Sequence, residues 1–445
     1  MSVIVARLNT IMQSCKHDYT LVQTARCAFV TRTLLSYHIC ACTSLLPSKS
    51  DCYFITSLGL CRSLPQASWI WIIRNNSVSL PVLLFPHMIL PSEGIVDVAR
   101  LSRIYDNTTA TYKFYWFVSI INLISANPGK RVFSFDEIIV GMIAEAWYPI
   151  HYFRLSFGKL DSLEANILEI QRILDIPIDA NKDVVREAIL NNKEIQSVRR
   201  CLSVFTLNVP YRFLSPWIPK ATNTQVEQYS REFFNNCPYA IAGKEILVDD
   251  LWADYLTRNA SILRDYSFWN LSIFLQKRNP NVPDIPSKLI RPLQRAPLSR
   301  QHRFWDYYIQ SVGHIHCIYT NAELTIHGYD LDHFIPWSFV VHDLMWNLLP
   351  SDSSINSSKS NCIPSLDQYL PPMTRMQHAA LRENYSHNPS DKIFEDYLVF
   401  RCSISELIDA SEEIFLELFK KEFTPMAQTA TNMGFAPWIN APTYG

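Results

Sequence analysis

Between positions 329 and 359 the chain reads YDLDHFIPWSFVVHDLMWNLLPSDSSINSSK. An Asp-His pair precedes a proline turn, and Asn347, Asn356 and Lys359 follow it. Hydrolysing a phosphodiester needs a group that deprotonates water, a divalent cation that neutralises the phosphate, and hard oxygen donors to hold that cation. His333 is the candidate general base, since an imidazole with an ordinary pKa of about 6.5 titrates close to working pH. Asp332 offers a carboxylate and Asn356 an amide oxygen, and Mg²⁺ accepts both while keeping several waters. Lys359 lies one helical turn beyond Asn356. If residues 353–359 form a helix, the two share a face and the lysine reaches the same phosphate. Asn347 is read as bracing the loop through side-chain-to-backbone hydrogen bonds. The competing reading is an Asp-His pair capping a turn, with ordinary Asn/Ser loop chemistry behind it.

These residues need elements to position them. ELTIHGYDLDHF (residues 323–334) alternates well enough for two short strands around His327-Gly328, which leaves Asp332 and His333 at a strand end. Neighbouring strand residues face opposite ways, so the two share one site only where the chain bends, and Pro336 supplies a bend. Asn347, in WNLLP, starts a second extended piece leading into the 353–359 helix. The expected unit is strand–strand–helix around one metal ion.

The run Tyr329-Asp330-Leu331-Asp332-His333-Phe334-Ile335-Pro336-Trp337-Ser338-Phe339 resembles the YDxDHIxPxSF stretch of the HNH (ββα-metal) endonuclease family, most closely the HNH domain of RNA-guided CRISPR nucleases. The later family positions fall on Asn347, Asn356, Lys359 and Pro364-Ser365. The resemblance implies that Asp332 and Asn356 bind Mg²⁺ (or Mn²⁺), that His333 activates water and that Asn347 braces the loop. CIYTNAEL (residues 317–324) resembles the family's C-x-Y-[ST]-G entry strand, with Asn321 where glycine is usual. Many family members hold a structural zinc with two CxxC pairs. This chain has no CxxC, so no structural zinc is expected and hydrophobic packing must hold the unit. The resemblance covers residues 311–365. The whole chain looks like uncharacterised bacterial HNH proteins of the restriction or phage-defence kind. That implies DNA as substrate and partner proteins of such a defence system; the scattered single cysteines read as thiols of a reducing cytosol, hence a cytoplasmic setting, and no membrane association is expected because no apolar run is long enough to span one.

The surroundings are mostly α. Of 445 residues 48% are hydrophobic and 13% aromatic, which suits a folded core, while only 10 glycines argue against phosphate-cradling loops and many-turned β architectures. The net charge of −1 means that any nucleic-acid contact must come from a local patch. Residues 88–278 read as a helical domain of unassigned role. YKFYWFVSIINLISA (112–126) is apolar almost all round, and Ser134 to Glu137 is a capping box opening a helix that Pro149 ends or kinks. LEANILEIQRIL (163–174) is amphipathic, and further helical patterns run over 184–191, 225–234 and 249–276. His151 is read as a core or surface histidine in preference to a catalytic base, and the tryptophans Trp116, Trp147 and Trp252 as core. Residues 279–310 form a basic linker and helix in which Lys288, Arg291, Arg295, Arg300 and Arg303 are candidate phosphate contacts; the alternative is a solvated linker. Residues 311–365 are the HNH nuclease unit. Residues 366–445 form a C-terminal helical region, with helices over 373–385, 391–408 and 411–426.

Residues 1–87 stand apart. They hold two acids, Asp18 and Asp51, and six of the eleven cysteines. Lys16 and Asp18 interrupt any secretory signal, and Arg74-Asn75-Asn76 splits the apolar pieces below membrane-spanning length. The reading adopted is that translation starts at Met88 and the upstream stretch is not native protein. Scattered single cysteines downstream read as buried thiols in a reducing compartment. Three functions compete: a metal-dependent DNA endonuclease, a non-catalytic nucleic-acid-binding or assembly protein with a degenerate HNH unit, and an RNA-cleaving nuclease toxin.

Overall fold

The computed structural model describes residues 89–92, 94–290 and 296–439, except the side chains of Asn356 and Ser357, and five earlier strands. The chain divides into two units, Met1–Ile89 and Leu90–Gly445. In the first, β1 (Thr24–Val30) pairs antiparallel with β2 (Leu34–Cys40), and β3 (Cys52–Thr56), β4 (Ile70–Arg74) and β5 (Ser77–Val78) form a three-stranded sheet. The start-site reading at Met88 falls on residues that, those strands apart, lie outside the described ones.

The second unit is mostly α. Its first half grows from α1 (Tyr112–Ala126), whose nearly unbroken apolar sequence leaves it buried on almost every face. Ser134 opens α2 (Phe135–His151) with a full capping box to Glu137. Pro149 sits inside α2, but the helix stops within one turn, so the cost of the missing N–H stays local. Helices α3 (Leu163–Leu174), α4 (Lys182–Asn192) and α5 (Gln196–Thr206) turn amphipathic faces onto this pair. A small antiparallel sheet joins β6 (Val132–Ser134), β7 (Tyr239–Ala242) and β8 (Glu245–Val248), with β8 central. The pattern read over 249–276 is two helices, Asp250–Arg258 and α6 (Ala260–Gln276), parted at Asn259. Trp116, Trp147 and Trp252 are core, as expected. His151 packs on Trp147, and burial pushes its imidazole down to about 4, so it stays neutral.

The short α7 (Ile285–Lys288) closes this half, and α8 (Ser299–Val312) opens the next. β9 (Ile315–His316) and β10 (Glu323–Leu324) pair around Asn321, whose φ of 59° is left-handed. Asparagine tolerates that region better than most residues, which accounts for its standing where the family uses glycine. The two strands flanking His327-Gly328 do not pair with each other. Instead β11 (Asp330–His333) pairs forward with β12 (Leu348–Ser351), setting Asp332 opposite Leu349 and His333 opposite Leu348. Between them lies α9 (Trp337–Val340), and after them α10 (Ser353–Lys359), which packs on β11. This is the expected strand–strand–helix order. Behind it stand α11 (Leu366–His387), a 3₁₀ segment (Lys392–Phe400) and α12 (Glu412–Asn432). α11 runs through Pro371-Pro372 because Tyr369, Leu370 and Met373 are buried there. On α12, Phe415, Phe419 and Phe423 stack in turn, and Phe423 meets Phe334, the residue after His333, at 5.4 Å. Among the described residues Cys201, Cys237, Cys317, Cys362 and Cys402 are free thiols. No helix among the described residues is long and apolar enough to cross a membrane.

Candidate active site

β11 delivers Asp332 and His333 as neighbours, and each meets a different part of the fold. Asp332 is buried and accepts two hydrogen bonds. Lys359 Nζ, at the end of α10, donates to Oδ1 at 2.9 Å, and the Tyr319 hydroxyl donates to Oδ2 at 2.8 Å. Burial, and then the Asp332 charge, push the Tyr319 phenol well above its usual range, which keeps it a donor. Lys359 Nζ also donates to the His333 carbonyl at 2.6 Å, so one ammonium ties together the carboxylate and the strand end. His333 is only 8% exposed, and its Nε2 lies 2.8 Å from Asp343 Oδ1, on the loop after α9.

Asn347 clamps the backbone just beyond His333. Its Oδ1 accepts from Ile335 N and its Nδ2 donates to Ile335 O, both at 2.9 Å, while its own carbonyl accepts from Phe334 N. A fully buried amide satisfied on both ends is a rigid brace, since breaking it orphans backbone groups that water cannot reach. Asn356 lies on α10, one turn before Lys359, and its side chain lies outside the described residues.

Two sequence readings need correction. Lys359 does not reach outward for a phosphate: it is fully buried and its charge is directed at Asp332. Lys288 is no surface cation either. It is fully buried, donates to the Pro283 carbonyl and lies 5.9 Å from the Phe153 ring. Burial lowers its ammonium to about 7, so it is only partly charged near neutrality and cannot serve as a phosphate anchor. The sequence shows a lysine in a basic run but not that α7 turns it inward. Arg291 and Arg295 lie outside the described residues. Arg300 and Arg303 are exposed in the first turns of α8, Arg300 3.4 Å from Asp396. Gln301, between them in sequence, donates to the Asp343 carbonyl at 2.8 Å, so α8 borders the site.

Sequence reasoning missed Asp343 and Tyr319. Tyr319 is the tyrosine of C-x-Y and was visible only as part of an entry strand. Asp343 sits in His342-Asp343, four residues before Asn347, and nothing in that spacing reveals the contact back to His333. His342 beside it packs half-buried against Trp346 and is held down to about 4, mainly by desolvation, so it is neutral.

Among the described residues no three His, Cys, Asp or Glu side chains converge as metal ligands. The donor chemistry nevertheless fits a hard cation. A carboxylate has about four lone-pair positions, of which the Asp332 hydrogen bonds use two. Mg²⁺ commonly takes only one or two carboxylates, with water and substrate oxygens completing its shell.

A family model described as HNH endonuclease matches residues 317–365. The CRISPR-associated endonuclease Cas9 of Listeria innocua serovar 6a is 30% identical over 137 residues, covering 30% of this chain and 10% of that protein. The chain therefore matches about a tenth of the length of that curated relative. No solved structure matches. These matches bear out the resemblance to HNH endonucleases, and the helix-rich architecture with this unit in its C-terminal part is as expected.

Proposed function

We propose that this chain is an HNH-type endonuclease that hydrolyses DNA phosphodiesters with Mg²⁺ or Mn²⁺. The observation that carries the reading is the gathering of Asp332, His333, Asn347 and Lys359 on one strand–strand–helix unit, each fixed by named hydrogen bonds. In this reading Asp332 and Asn356 hold the cation, which when bound would neutralise charge on the phosphate. His333 takes the proton of the attacking water as the water oxygen bonds to phosphorus and the bond to the leaving oxygen breaks. Asn347 keeps the strand end in register. Lys359 orders Asp332 and the His333 backbone. Arg300 and Arg303 on α8 supply exposed positive charge beside the site. A role in restriction or phage defence, with partner proteins of such a system, rests on the similarity to a CRISPR-associated endonuclease.

The test is plasmid cleavage by the purified chain with Mg²⁺ or Mn²⁺, beside His333→Ala and with RNA run in parallel. The reading expects metal-dependent nicking or linearisation that the variant loses by about 10²-fold or more. Equal cutting by His333→Ala would sink it. DNA binding that survives the variant, without turnover at any metal concentration, would indicate an assembly protein with a degenerate site. Cleavage of RNA alone would indicate a toxin-like nuclease.

A further inference from the structure

Resting on that reading, we infer that Asp343 is the positioning residue for His333, holding its imidazole in the tautomer that leaves Nδ1 as the proton acceptor. The contact is direct: His333 Nε2 lies 2.8 Å from Asp343 Oδ1. An ionised carboxylate only accepts hydrogen bonds, so the proton in this contact belongs to Nε2 and the lone pair of the neutral ring to Nδ1. The proton from the attacking water then goes to Nδ1 as its oxygen bonds to phosphorus. The imidazolium that forms still donates from Nε2 to the carboxylate. One such bond fixes the ring's rotation and stabilises the charge that develops on it.

The fold holds Asp343 in place from several sides. Gln301 of α8 donates to the Asp343 carbonyl at 2.8 Å. Two residues on, Met345 N donates to Asp396 of the 3₁₀ segment at 2.9 Å, and the Met345 carbonyl accepts from Gln377 of α11 at 2.9 Å. Three elements outside the strand–strand–helix unit therefore fix the loop that carries the carboxylate. His342 does not compete for the role, being half-buried beside Trp346 with Nδ1 accepting from Leu344 N. The loop is held at the acid's own carbonyl and two residues beyond it, which limits how far the carboxylate can move from the imidazole.

The experiment uses the full chain as wild type, Asp343→Asn, Asp343→Glu and His333→Ala. Single-turnover plasmid cleavage with Mg²⁺ and DNA affinity are measured separately, and ¹⁵N-histidine NMR reports the His333 tautomer without metal or DNA. The expected result is that Asp343→Asn cuts about 10²- to 10⁴-fold more slowly, the range a positioned general base contributes. Its DNA affinity stays within about threefold, and the His333 ¹⁵N signals move away from the Nε2–H form. Asp343→Glu, which keeps the carboxylate, recovers part of the rate. The inference is overturned if Asp343→Asn cleaves at the wild-type rate, or if its His333 tautomer matches the wild type. If the wild type cleaves nothing, the nuclease reading fails, while the NMR comparison still decides whether Asp343 sets the His333 tautomer.

Discussion

Lys359 shows how far a residue's job can differ from the one its type suggests. It is fully buried, and its partner Asp332 is only 2% exposed. Two charges taken out of water are tolerable while they face each other at 2.9 Å, and removing one leaves the other uncompensated. Lys359→Met is therefore expected to lower the free energy of unfolding by about 3–5 kcal/mol, read from urea denaturation. The double variant Lys359→Met/Asp332→Asn should regain a large part of that loss, because neither charge then remains, and the coupling appears directly in the double-mutant cycle. A loss below about 1 kcal/mol for the single variant would mean that water reaches the pair after all. The same logic explains why Asn347 carries no charge: it sits where backbone N–H and C=O must both be satisfied, and an amide presents one donor and one acceptor to match.

Among the elements, α7 and α8 separate two lysine- and arginine-bearing stretches that look alike in sequence. α7 turns Lys288 into the core, whereas α8 exposes Arg303 beside a helix face that touches the Asp343 loop. Arg303→Ala should weaken DNA binding evenly across sequences and reduce the slope of log affinity against log salt by about 1. Lys288→Met should leave both affinity and slope unchanged, and a matching fall in slope would return Lys288 to the interface. Much of the scaffold was legible because it follows periodicity and capping: α1, the Ser134 box of α2 and α3 all stand where their patterns put them. Asp332, His333 and Asn347 stand out as candidates because they lie close together in one motif. What stayed hidden depends on tertiary burial. Lys288 reads as solvent charge until α7 is seen to face inward, Asp343 pairs with His333 across a loop that has no period, and α11 begins at Leu366, ahead of the helix read over 373–385.

At the scale of the molecule, the residues from Leu90 onward hold two hydrophobic clusters, one built from residues between Leu90 and Leu289, the other between Phe304 and Trp438. Trp337 lies within the residues that match the HNH endonuclease model, directly after Pro336, yet it packs against the first cluster, 6.4 Å from Tyr152 and 6.1 Å from Phe153 between ring centres. Arg154 adds a second tie, its guanidinium 4.9 Å over the Phe435 ring and donating to the Gly434 carbonyl. The turn that leaves His333 is thus anchored in the first cluster, which gives the helices that build that cluster a mechanical role. Trp337→Ala removes the larger apolar part of that anchor, and truncating a half-buried aromatic costs about 1–3 kcal/mol. Calorimetry should then resolve two unfolding steps where the wild type shows one, with the second cluster melting first because it loses the contact next to the β11 strand end. If the variant still unfolds in a single transition, the clusters are coupled through other contacts, and the helical domain does not hold the His333 turn through Trp337.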